Sequence, residues 1–120
     1  MYEVIFYRDK NGHSPLLEYL QSLTQKTDKN SRINVKKITD YIAYLEAHGP
    51  KAREPYAKHL GGDIWELRPI RNRILYASWN GKSFILLHMF QKDTQKTPKR
   101  EIEQAQRNLT EFKERSKNND

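Results

Sequence analysis

Apolar and polar positions alternate over residues 2–8 (YEVIFYR), a stretch rich in β-branched and aromatic types, which predicts a strand. Residues 9–13 hold Asn11-Gly12 and read as a turn. Ser14-Pro15 then offers an N-cap followed by proline at the first helical position. Leu16, Leu17, Leu20 and Leu23 share one helical face, so a helix is expected over 15–24. The spacing of Ile38, Ile42 and Leu45 predicts a second helix over 28–47, stopped by Gly49-Pro50. Residues 50–62 carry two prolines, two glycines and several bases and read as an exposed loop. Strands follow at 63–68, 73–79 and 83–90, the last an almost unbroken apolar run (SFILLHMF) of the kind covered on both faces. Residues 91–97 are polar. Thr97-Pro98 repeats the cap-plus-proline start, and Ile102, Ala105, Leu109 and Phe112 line one stripe of a third helix over 98–115, with a fraying tail at 116–120. The order β-α-α-β-β-β-α does not alternate helix with strand. It predicts an α+β fold, a small, mostly antiparallel sheet of about four strands with the helices packed on one side.

Turn chemistry adds a register. Asn80-Gly81 predicts a two-residue type I′ hairpin, with Trp79 facing Lys82. That register pairs Ala77 with Phe84, Leu75 with Leu86 and Arg73 with His88 on one face. Ile74, Tyr76, Ile85, Leu87 and Met89 then form the core face under the helices. A four-residue turn at 69–72 sets Arg68 opposite Arg73, so Arg68, Arg73 and His88 are expected together, with Lys92 continuing in phase.

Charge sharpens this picture. The chain has 120 residues and net charge +7, enough length for one domain spanning 1–120. Residues 51–99 hold 10 basic against 4 acidic groups, while residues 1–50 and 100–120 are close to neutral. A positive surface is therefore localised to the middle of the chain, as expected of a partner for a polyanion. The absence of cysteine excludes a disulfide scaffold and a thiolate nucleophile, and it suits the cytoplasm. No stretch approaches a membrane span, and the opening MYEVIFYRDK lacks the basic and apolar regions of a secretory leader. The four histidines lack metal-ligand spacing, so no metal or other cofactor is expected.

Arginines spaced along a rigid sheet can grip phosphates with fork geometry. Cleaving a phosphate ester needs positive charge where negative charge develops, a proton acceptor and a proton donor. In RNA the neighbouring 2′-OH can serve as nucleophile, and a histidine or a lysine with a lowered pKa can handle the protons. Arg73, Arg68, Lys92, Lys96 and His88 are the catalytic candidates. Lys58, His59, Arg71, Lys99 and Arg100 are the RNA-contact candidates. Plainer roles compete with these. Arg68 can pair with Glu66 or Glu54, His88 can be a satisfied, partly buried histidine, and Tyr56 can stack a base or simply pack its own loop.

The stretch Leu60 to Leu109, LGGDIWELRPIRNRILYASWNGKSFILLHMFQKDTQKTPKREIEQAQRNL, closely resembles the RelE/ParE toxin superfamily, most of all its HigB-like, phage-derived branch. WELR followed by RILY, the strand ending LHMFQK, and KTPKREIEQA opening the last helix carry the likeness, and the EVIFY strand extends it to most of the chain. The resemblance implies the toxin of a type II toxin–antitoxin pair, a metal-independent endonuclease that cuts mRNA in the ribosomal A site. It implies neutralisation by a HigA-like antitoxin, a helix-turn-helix protein through which alone operator DNA is bound. By the family pattern Arg73 matches the strand arginine that supports the transition state, and Arg68 the arginine of the ELR element. Lys92 and Lys96 fall in the basic segment after the strand, which Asp93 interrupts. Two other readings stay open: a ParE-like inhibitor of DNA gyrase, and an RNA-binding module that cuts nothing.

Overall fold

The computed structural model describes residues 1–92 and 96–118. Its elements are β1 (Glu3–Phe6), α1 (Pro15–Thr24), α2 (Lys29–His48), a single 3-10 turn (Gly49–Lys51), β2 (Ala57–Gly61), β3 (Ile64–Leu67), β4 (Asn72–Trp79), β5 (Ser83–Gln91) and α3 (Lys99–Asn118). The strands form one five-stranded sheet in the order β1-β5-β4-β3-β2. β1 runs parallel to β5, and the other neighbours are antiparallel. The class is α+β, as the element order implies. No helix among the described residues is long and apolar enough to cross a membrane.

Local chemistry sets the start of α1 as expected, whereas α3 opens at Lys99, just past the expected Thr97-Pro98 start, with Glu101 N donating to Pro98 O. The Ser14 hydroxyl accepts from Leu17 N at 3.3 Å, with Pro15 opening α1. Asp28 caps α2, accepting from Ser31 N at 3.0 Å and from the Ser31 hydroxyl at 2.8 Å. These bonds, the backbone one first, hold the Asp28 carboxyl below its ordinary value. α3 continues to Asn118, past the expected end at 115, while residues 119–120 lie outside the described residues.

Three differences from the sequence reading matter. First, residues 57–61, expected in a loop, form the edge strand β2. Of this strand Ala57 alone is fully buried, opposite Leu67, so it shows almost no apolar alternation. An edge strand needs one paired neighbour and little burial, and a lysine on it discourages further pairing. Second, the helices cover both faces of the sheet, not one. Ile74, Tyr76, Phe84 and Leu86 pack with α1 and α2. Leu75, Ala77, Ile85 and Leu87 pack with Ala105 and Leu109 of α3. The apolar run of β5 already called for two covers. Third, the hairpin register is shifted. Asn80 (φ 50°) and Gly81 (φ 76°) adopt the expected left-handed pair, and Lys82 N donates to Trp79 O at 3.3 Å. Yet the ladder opens with Trp79 opposite Ser83, one residue off the expected pairing. A bulge beyond Tyr76–Leu86 then brings His88 opposite Leu75 and Phe90 opposite Arg73.

Gly49 closes α2 with φ 53°, and Tyr2 lies directly over it: a Cβ there would sit 2.4 Å from the ring. Gly49→Ala is therefore expected to lower stability by about 1–3 kcal/mol, from left-handed backbone strain and overpacking together. Urea denaturation reads this, and an unchanged midpoint would show that Tyr2 swings away freely.

Candidate nucleic-acid interface

Arg68 and Arg73 flank the turn joining β3 to β4. The ladder Glu66–Leu75, Leu67–Ile74 continues to set Arg68 across from Arg73, as the four-residue turn implies. Asn72 N closes the turn on Pro69 O at 3.0 Å, and Ile70 within it has φ 59°, a costly conformation for a β-branched residue. Buried Asn72 holds the turn in place. Its amide donates to Asn34 of α2 at 2.8 Å, and its oxygen accepts from Tyr19 of α1 at 3.3 Å. Both helices thus anchor the segment that presents the arginines.

The two guanidinium groups converge on one carboxylate. Arg68 Nε lies 3.7 Å, and Arg73 Nε 3.9 Å, from Oε1 of Glu66, a side chain only 1% exposed. The Thr97 hydroxyl donates to the other Glu66 oxygen. Arg73 is 11% exposed, and its Nη1 donates to the carbonyls of Ile70 and Asn72, each at 2.8 Å. Its Nε is buried with no hydrogen-bond partner among the described residues. Burial lowers the Arg73 pKa, Glu66 opposes that shift, and Arg68 adds to it.

Two lysines complete the cluster. Lys58 on β2 pairs with Glu66 in the ladder and so shares its face. Lys92 N donates to Arg71 O at 2.7 Å, tying the end of β5 to the turn. Burial first, then the positive charge of Arg73, with smaller contributions from Arg68 and Lys58, holds the Lys92 ammonium below the ordinary lysine value; Glu66 opposes them.

His88 lies on the α3 face with Arg73, but not opposite it as expected. Its Nε2 is 2.7 Å from Glu101 Oε1 of α3, and Phe90 stacks on its ring at 6.1 Å. It is thus partly buried and satisfied, and it carries a carboxylate partner that could orient an imidazole for proton transfer. His59 does not join the cluster. It pairs with Trp65, whose side chain packs on the α1/α2 face, and its Nε2 contacts Gly62 O at 2.8 Å. Lys96 is exposed beside Thr97, and Lys99 and Arg100 are exposed at the start of α3, where Arg100 Nε lies 3.8 Å from Glu101. Asp93, expected to interrupt the basic segment, lies outside the described residues. Among the described residues, no three His, Cys, Asp or Glu side chains stand close enough to share a metal ion.

The sequence matches the family of phage-derived, Gp49-like proteins (DUF891) over residues 18–110, a span holding every residue of this cluster. The chain belongs to the Gp49-like family. This is a family of the RelE toxin type. No curated protein matches the chain.

The Gp49-like chain also uses residues that its sequence pattern does not single out. Glu66 stands out only as a partner for Arg68; its grip on Arg73 needs the β3–β4 register. Thr97 reads as a helix cap, but its hydroxyl serves Glu66 across 31 residues of chain. Glu101 reads as an ordinary acidic residue in a first helical turn. No local signal joins it to His88.

Proposed function

We propose that this Gp49-like protein is the toxin of a type II toxin–antitoxin pair, of the HigB-like branch, and an endonuclease that cuts mRNA in the ribosomal A site. The carrying observation is the convergence of Arg68 and Arg73 on the buried Glu66 carboxylate. Glu66 and the turn carbonyls fix the two guanidinium groups beside each other, so that their remaining N–H donors would meet a phosphate in set geometry. The family assignment supports the toxin reading, and the basic cluster favours RNA as the target.

In the proposed reaction the 2′-oxygen attacks the adjacent phosphorus while the bond from phosphorus to the 5′-oxygen breaks. The products are a 2′,3′-cyclic phosphate and a 5′-hydroxyl. Arg73 and Arg68 stabilise the charge growing on the non-bridging oxygens. Lys92, whose lowered pKa lets it release a proton more readily than an ordinary lysine, handles a proton at the 2′- or the 5′-oxygen. His88, oriented by Glu101, is the second proton carrier. Lys58, Arg71, Lys96, Lys99 and Arg100 contact flanking phosphates, and the metal-free chemistry needs no cofactor. The proposed site of action is the cytoplasm, and the proposed inhibitor is a HigA-like, DNA-binding antitoxin.

Expression from a tightly repressed promoter tests this reading. Growth should stop within a generation, with new mRNA ends inside translated codons. Arrest with DNA breaks and intact mRNA would instead identify a gyrase inhibitor. RNA binding with steep salt dependence, normal growth and no cleavage would identify a passive RNA-binding module.

A further inference from the structure

We propose that Tyr56, backed by two tyrosines of α2, is a stacking site for an unpaired nucleobase beside the arginine pair; this rests on the RNA-cleaving reading above. Tyr56 is 40% exposed, the one aromatic among the large apolar side chains that stand exposed in the described residues. Its exposed ring is nevertheless rigidly supported. Tyr44 stacks on it at 4.3 Å and 28°, and Tyr41 meets it at 5.3 Å and 63°. Tyr44 also stacks against His48 at 4.1 Å and 23°. Two near-parallel rings at that distance cannot share one face of Tyr44. The column therefore runs His48, Tyr44, Tyr56 from the end of α2 outward.

This column ends next to the proposed phosphate grip. Arg68 N donates to Tyr56 O at 3.1 Å, so the residue just before β2 and the residue just after β3 lie side by side. Arg73 is across the next strand. An aromatic shelf contiguous with fixed cations is the combination single-stranded nucleic acid uses, stacking bases while the cations hold its backbone.

The test uses ribosomes programmed with mRNA carrying 2-aminopurine in the A-site codon. A 2′-O-methyl ribose at the cut point blocks scission. Wild type, Tyr56→Phe and Tyr56→Leu are compared by ribosome pelleting and 2-aminopurine fluorescence, and unmodified mRNA gives their cleavage rates. Wild type and Tyr56→Phe should change the fluorescence alike. Tyr56→Leu should lose that change and cut about 10-fold more slowly or worse while still folded at the assay temperature. Wild-type fluorescence and cleavage from Tyr56→Leu would overturn the proposal. If Tyr56→Leu fails to fold, a pelleted wild type that leaves the fluorescence unchanged overturns it just as well. A wild type that alters the fluorescence but cuts no mRNA rejects the nuclease reading, and it upholds the stacking site where Tyr56→Leu loses the change.

Discussion

Arg73→Ala should reduce mRNA cleavage about a hundredfold to a thousandfold and abolish growth arrest, the usual cost of removing one fixed donor from a site where charge develops. The side chain is 11% exposed and oriented by two carbonyls of the turn, so no neighbour can move in to replace it. Its truncation also removes two hydrogen bonds to a charged donor, so a stability loss of a few kcal/mol is expected alongside. Arg73→Lys separates the two effects. It keeps the charge but not the planar fork, so it should fold nearly as well as wild type and recover only part of the activity. Cleavage rates and thermal melts on the same preparations check this. Undiminished toxicity from a folded Arg73→Ala protein would remove Arg73 from the site.

Glu66→Gln should destabilise the protein by about 3 kcal/mol, because breaking a buried ion pair strands the remaining charge. At this chain length that corresponds to a melting temperature lower by roughly 10 °C. Glutamine preserves the shape and can still accept from Thr97, so the loss isolates the charge that faces Arg68 and Arg73. The arginines would also lose their common anchor, and cleavage should fall even where the variant remains folded. An unchanged melting temperature would mean that solvent already satisfies both guanidinium groups and that Glu66 fixes nothing.

Much of this arrangement is legible in the sequence wherever a local rule governs it. Ser14-Pro15 starts its helix as its chemistry dictates. The four residues between Arg68 and Arg73 are enough to set those arginines across from each other. Elsewhere longer-range geometry prevails. Asn80-Gly81 fixes the turn conformation but not the first ladder pair, and a one-residue slip moves Phe84 and Leu86 to the opposite face. The later bulge returns His88 to the face of Arg73, but opposite Leu75 and bonded to Glu101, so the expected pairing of the two is not formed. β2 escapes a periodicity reading because it buries only one side chain fully. His59 sits next to Lys58 in sequence, and strand alternation sends it to the other face. The contacts of Thr97 with Glu66 and of Glu101 with His88 come from chain closure and have no local signature.

The chemical identity of the RNA ends tests the central claim most directly. RNA is recovered from cells shortly after induction, and its termini are sequenced by methods selective for each end group. The account predicts new breaks within translated codons bearing 5′-hydroxyl and 2′,3′-cyclic phosphate ends, absent in cells expressing Arg73→Ala. New ends carrying 5′-phosphate, or growth arrest with no new ends at all, would contradict it.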